Sequence, residues 1–288
     1  MASHLPDCLN LVFGGKLNFF VKNTRGSPKI PETLRPQATM PPHDNTLGSA
    51  SCQNKIPRGP FIVFEGLDRA GKSTQCKLLS QRLAHPKNIL LTGREIQSMR
   101  FPDRTTGIGK MIDSYLSQTA DLDDHAIHLL FSANRWEKSS SILSAINSGK
   151  IVICDRYAFS GIAFTSAKLN IREPPEPDPI INLSSPDRGL PLPDLVIFLT
   201  LPNPDSLKDR AGFGQERYEN EKLQAEVRRQ FNESVRPFFE EIHGSGRWIE
   251  IDGSGSIEEV EQRIWECLQQ FLTKTFTPIQ SIGKLWVA

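Results

Sequence analysis

The sequence predicts an α/β protein, a three-layer arrangement in which a five-stranded parallel sheet is covered by helices on both faces. Three observations lead there. From Pro60 onward, short apolar runs alternate with amphipathic segments, the rhythm of parallel strands joined by crossover helices. The apolar runs are rich in β-branched residues, which suits strands buried on both sides. One of them, Phe61 to Phe64, leads straight into a glycine-bounded turn and a helix that starts near Lys72.

The expected strands are Phe61 to Phe64, Asn88 to Leu91, Ile151 to Cys154, Leu195 to Leu201 and Trp248 to Ile251. Helices fill the gaps. In the last of these, Ser256 and Glu259 form a capping box, and Ile257, Val260, Ile264, Leu268 and Phe271 recur every three to four residues as one buried stripe. Between Arg172 and Asp194 stand seven prolines, which argue against a helix or central strand and for a stiff surface connection without functional groups.

Residues 1–57 read differently. They lack hydrophobic periodicity and carry Lys16, Lys22, Arg25, Lys29, Arg35 and Lys55 against only Asp7, Glu32 and Asp44. This basic, acid-poor balance fits an organelle transit peptide, for a mitochondrion or a plastid, ahead of a domain at 58–288; an extension with no address remains the alternative. Met40 offers a second start that would leave a cytoplasmic or nuclear form. Thirty-four basic residues balance thirty-three acidic ones, so no global field recruits nucleic acid or an anionic membrane. No run approaches the roughly 20 apolar residues that span a bilayer. The five cysteines are scattered and lack C-x-x-C spacing, which points to a reducing compartment rather than to zinc.

Gly66-Leu67-Asp68-Arg69-Ala70-Gly71-Lys72-Ser73 matches G-x-x-x-x-G-K-S between a strand and a helix. Its glycines let successive backbone N–H groups face phosphate oxygens, and the helix N-terminus adds its positive end. Lys72 is expected to reach the transferred phosphate of a nucleoside triphosphate and Ser73 to ligate magnesium. Asp68 and Arg69 lie inside the loop, where a side chain can reach a second substrate. The strand Ile151 to Cys154 ends in Asp155-Arg156, an acid and a base at the strand end where open α/β sheets bind ligands. Asp155 is a candidate to hold magnesium or its water, and Arg156 to bridge donor and acceptor phosphates; a rim ion pair is the plainer reading. Phe131 and Arg135, four apart on a helix, share a face on which a ring can stack on a base and a guanidinium read its edge, although Phe131 alone also suits a core. His125 and His128 lie away from these motifs and read as surface or packing residues.

Further stretches occur in one order: Phe101-Pro102-Asp103-Arg104, Leu130 to Arg135, Asp155 to Gly161, Gly189 to Asp194, and Phe213 to Glu219. In them the chain resembles the thymidylate kinases, in their eukaryotic form, from about Pro60 to Trp286. The resemblance implies the P-loop nucleoside monophosphate kinase fold with a short lid at about 209–219, transfer from ATP to dTMP with Mg2+ in dTTP biosynthesis, and a homodimer. It also implies that Arg69, Ala70, Gly71, Lys72, Ser73, Thr74 and Arg210 meet ATP, with Arg69 as a catalytic arginine carried in the loop. Phe131 would stack on thymine, Arg135 read its carbonyl, Arg104 hold the monophosphate and Asp68 take the 3′-hydroxyl. Phe164 would line the sugar, with Phe101, Arg156, Ser160, Gly161 and Tyr218 completing the acceptor site. A kinase for another nucleoside or monophosphate, and a nucleotide-binding switch without turnover, are the competing readings.

Overall fold

The computed structural model describes residues 57–85, 93–172, 174–201, 216–278 and 280–287, all within one unit, Gln53–Ala288. The apolar runs form β1 (Phe61–Gly66), β3 (Ile151–Asp155), β4 (Leu195–Thr200) and β5 (Trp248–Asp252), close to where the sequence places them. The fifth strand, β2, is Ile96–Arg100; the stretch Asn88 to Leu91 lies outside the described residues. All pairings are parallel, in the order β2-β3-β1-β4-β5. β2 occupies an edge, where Gln97, Ser98 and Arg100 are at least partly exposed, so it carries no continuous apolar run.

The helices are α1 (Lys72–Ala84), α2 (Gly107–Leu116), α3 (Asp124–Asn147), α4 (Ala158–Ile171), α5 (Ile180–Ser184), α6 (Glu221–Gln230), α7 (Arg236–His243) and α8 (Ile257–Lys274). Side chains cap several N-termini: Thr106 accepts from the Gly109 N–H on α2, Asp123 from His125 on α3 and Asn220 from Leu223 on α6. The Ser256–Glu259 capping box of α8 is present. Val260, Ile264, Leu268 and Phe271 are buried as expected, but Ile257 is 52% exposed. It sits in the first turn, beside a cap that itself faces solvent, so the stripe starts one turn later.

The proline-rich connection departs from expectation. It contains α5 and a 3-10 turn at Ser185–Asp187, and it buries Leu183, Asp187 and Leu190. Pro179 is the N-cap of α5 and Pro186 stands at the start of the turn, positions where a missing N–H leaves no helical bond unmade. The prolines therefore punctuate short helices here. Residues 283–286 run back beside this segment: Gly189 N–H donates to Leu285 O at 2.9 Å, Leu192 N–H to Gly283 O at 3.0 Å and Leu285 N–H to Leu190 O at 2.7 Å. Trp286 joins an aromatic cluster with Phe159, Phe238 and Phe239. Among the described residues no helix is long and apolar enough to cross a membrane.

Candidate active site

β1 and β3 are neighbours, with Phe64 in register with Asp155, so the loop after β1 and the acid at the end of β3 face one another. Gly66 has φ 138°, and a Cβ there would fall 2.5 Å from the Leu199 carbonyl oxygen, which makes glycine necessary at the entry to the loop. Lys72 is buried and its Nζ donates to Leu67 O within the loop. Burial, reinforced by the Arg156 cation, lowers the Lys72 pKa to about 8 despite Asp155, Asp68 and Glu65. The Ser73 hydroxyl donates to Asp155 Oδ2, and Arg100 Nε stands 3.9 Å from the same oxygen. A hydroxyl and a carboxylate side by side form an all-oxygen donor set, which fits Mg2+ held with few protein ligands and substrate phosphates.

Arg156 organises the centre. Its Nη2 pairs with Asp68 Oδ1, and its Nη1 donates to Gly66 O at 3.1 Å and to Ser160 Oγ at 2.9 Å. The guanidinium lies 5.3 Å from the Phe164 ring centroid. Arg69 and Arg156 both adopt left-handed backbone, with φ 60° and 66°, a strained conformation for residues with a Cβ and one that concentrates at functional sites.

Three residues here escaped the sequence reading. Gln224 on α6 clasps Asp68, donating from Nε2 to Oδ2 at 2.7 Å and accepting from its N–H at 3.1 Å. Glu65 on β1 is fully buried and accepts from Tyr157 N–H, Ser160 N–H and Ser160 Oγ, which ties the start of α4 to the central strand. Burial raises its pKa, opposed by Arg156 and its hydrogen bonds. Glu65 did leave a signal, a lone acid in an apolar strand. Asp187, the third, is fully buried in the proline-rich connection and holds Arg135 from two nitrogens, at 3.0 and 2.6 Å.

Asp68, Phe101, Arg104, Phe131, Arg135, Arg156, Ser160, Gly161, Phe164 and Tyr218 all line a single cleft, partly open to solvent. Phe131 is half-buried, at the edge of a small cluster of Ile112, Tyr115, Leu116 and Ile127, so it faces the cleft as well as packing. Phe164 and Tyr218 lie with ring centroids 5.4 Å apart on another wall. Arg104 is held by Asp113 at 2.7 Å and Glu216 at 2.8 Å.

Asp68, Arg69, Gly71, Lys72, Ser73, Thr74, Asp155 and Arg156 line a second cleft of about 390 Å³, and Ala70 is buried within the loop that walls it. The two clefts share Asp68, Arg100, Arg156 and Glu216. Arg210 and the expected lid as far as residue 215 lie outside the described residues. The described end of that segment reaches both clefts: Glu219 pairs with Arg69 at 2.8 Å and Glu216 with Arg104.

A phosphate loop opening into a second, aromatic and cationic cleft through a shared arginine defines a P-loop phosphotransferase with adjoining donor and acceptor sites. The thymidylate kinase family model matches residues 64–264. The chain is 42% identical to the human thymidylate kinase over 229 residues, which is 80% of this chain and 98% of the human one. It is 46% identical to that of Schizosaccharomyces pombe over 211 residues, 73% of this chain and 92% of the relative. The solved structure of thymidylate kinase from Candida albicans superposes with a TM-score of 0.67 at 38% identity, covering 79% of this chain and 98% of that one. The chain belongs to the thymidylate kinase family, and it is a kinase.

Proposed function

We infer that the protein phosphorylates dTMP to dTDP, on the route to dTTP, with ATP as donor. The observation that carries this reading is the junction of the two clefts at Asp68 and Arg156, where a phosphate loop and an aromatic, cationic pocket share one guanidinium. In the donor cleft the backbone of the loop cradles the triphosphate, and Lys72 turns from Leu67 O to the transferred phosphate. Ser73 and Asp155 are the residues that would hold Mg2+, which supplies charge neutralisation on the phosphates when bound. In the acceptor cleft Phe131 stacks on thymine, Arg135 donates to a ring carbonyl, Arg104 receives the monophosphate, and Phe164 fills the space beside the 2′-carbon. Asp68 accepts from the 3′-hydroxyl.

Arg156, with one nitrogen on Asp68 and another on Ser160, sits where both phosphates meet and aligns them; Arg69 adds a second cation from the loop. A phosphate monoester with a second pKa of about 6 is already anionic near neutrality, so no side chain has to take a proton. In keeping with this, neither His125 nor His128 is among the residues lining the two clefts; His128 is buried, bonded to Thr165 Oγ1 at 2.9 Å and Leu183 O at 2.8 Å. A coupled assay with ATP and a panel of monophosphates tests the reading. It is expected to show dTMP turned over far faster than UMP, CMP or AMP, and equal rates would sink the assignment.

Exposed Met111 and Leu129 and the partly covered Trp136, on α2 and α3, support a homodimer through these helices, to be checked by sedimentation of Leu129→Glu against the unaltered chain. The basic, acid-poor composition of residues 1–57 supports an organelle-directing role, mitochondrial in the first instance, with a plastid or a shorter form from Met40 as alternatives. A fluorescent fusion to that segment distinguishes them.

A further inference from the structure

Asp187 is a fully buried carboxylate, an unfavourable place for a charge unless opposite charge and hydrogen bonds compensate. Arg135 compensates it with Nε at 3.0 Å and Nη2 at 2.6 Å, and Ser132 Oγ donates to the same carboxylate at 2.8 Å. Such a two-point fork fixes the plane of a guanidinium as well as neutralising it. The segment bearing Asp187 is itself strapped to α3, because His128 Nε2 contacts Leu183 O at 2.8 Å and Trp136 Nε1 donates to Pro186 O at 2.8 Å. Arg135 therefore cannot swing away without leaving a buried acid unpaired.

A guanidinium has five N–H donors and no acceptor. Asp187 takes one from Nε and one from Nη2, which leaves three on Nη1 and Nη2. Those two nitrogens are the atoms closest to Gly161: a Cβ there would meet them at 3.2 and 2.9 Å. Gly161 and Arg135 both line the acceptor cleft, so the absence of a side chain at 161 is what lets the donor edge approach it.

We propose that Asp187 is the positioning residue for base selection: by fixing Arg135 it presents a donor-only edge to the cleft, which admits a pyrimidine offering a ring carbonyl there and rejects one offering an amino group. This rests on reading the cleft as the dTMP site. An amino group placed against that edge leaves donors facing donors, a mismatch that discriminates more strongly than a difference in size.

The test is steady-state kinetics of Asp187→Asn with dTMP and dCMP as alternative acceptors. With the arginine misplaced, KM for dTMP is expected to rise roughly tenfold to a hundredfold, and the preference for dTMP over dCMP to fall about as far, while KM for ATP stays unchanged. In an Arg135→Gln background the same replacement is expected to add nothing, because Asp187 acts through Arg135. An unchanged dTMP KM and preference in the folded variant overturns the proposal, as do independent, multiplying effects in the double variant. Should Asp187→Asn not fold, Asp187→Glu and Ser132→Ala carry the test, and an unaltered preference in both overturns it. If the unaltered enzyme itself fails to prefer dTMP over dCMP, the reading of the cleft fails instead.

Discussion

Lys72 shows how one residue's surroundings set the conditions under which the enzyme works. Its ammonium is charged below about pH 8 and neutral above it, because burial and the Arg156 cation disfavour the charged form. The donor phosphates need that charge. kcat/KM for ATP, which reports the free enzyme, is therefore expected to fall as pH rises through about 8. Under saturating ATP the fall should move to higher pH, since bound phosphate favours the cation; profiles that do not separate would contradict this. Arg156, held between Asp68, Gly66 O and Ser160, is the other decisive group. Replacing it with Ala is expected to lower kcat by about two to three orders of magnitude with thermal stability largely kept, as measured by the coupled assay beside a melting curve.

At the scale of elements, the helix caps do local work that can be separated from catalysis. Ser256→Ala removes the acceptor for the Glu259 N–H at the start of α8 and is expected to lower stability by about 1 kcal/mol in denaturant titration, with kcat unchanged. What could be read from the sequence follows the same division between local and distant. The phosphate loop and Asp155-Arg156 were legible because each motif is contiguous and follows a strand with a continuous apolar run. β2 was not, since an edge strand with Gln97, Ser98 and Arg100 partly exposed has no such run. Asp187 and Gln224 were hidden for another reason. Each acts on a residue far away in the chain, Arg135 or Asp68, and their partnership exists only once the sheet and helices have brought them together.

For the molecule as a whole, the two clefts depend on different parts of the fold. The donor cleft hangs on β1, β3 and α1, whereas the acceptor cleft draws on α2, α3 and α4, with Arg135 held by Asp187 of the proline-rich connection, which residues 283–286 hold by three backbone hydrogen bonds. Leu285 is fully buried in that pairing. Leu285→Ala is expected to reduce stability by about 2–5 kcal/mol and, by loosening the strap under Arg135, to raise KM for dTMP while leaving KM for ATP alone. Parallel shifts in both constants would refute that division. The pairing of 283–286 also gives a segment that lines neither of these clefts a say in recognition. An insertion within residues 283–286, or a proteolytic cut there, is expected to blur the choice of nucleotide before it weakens the grip on ATP.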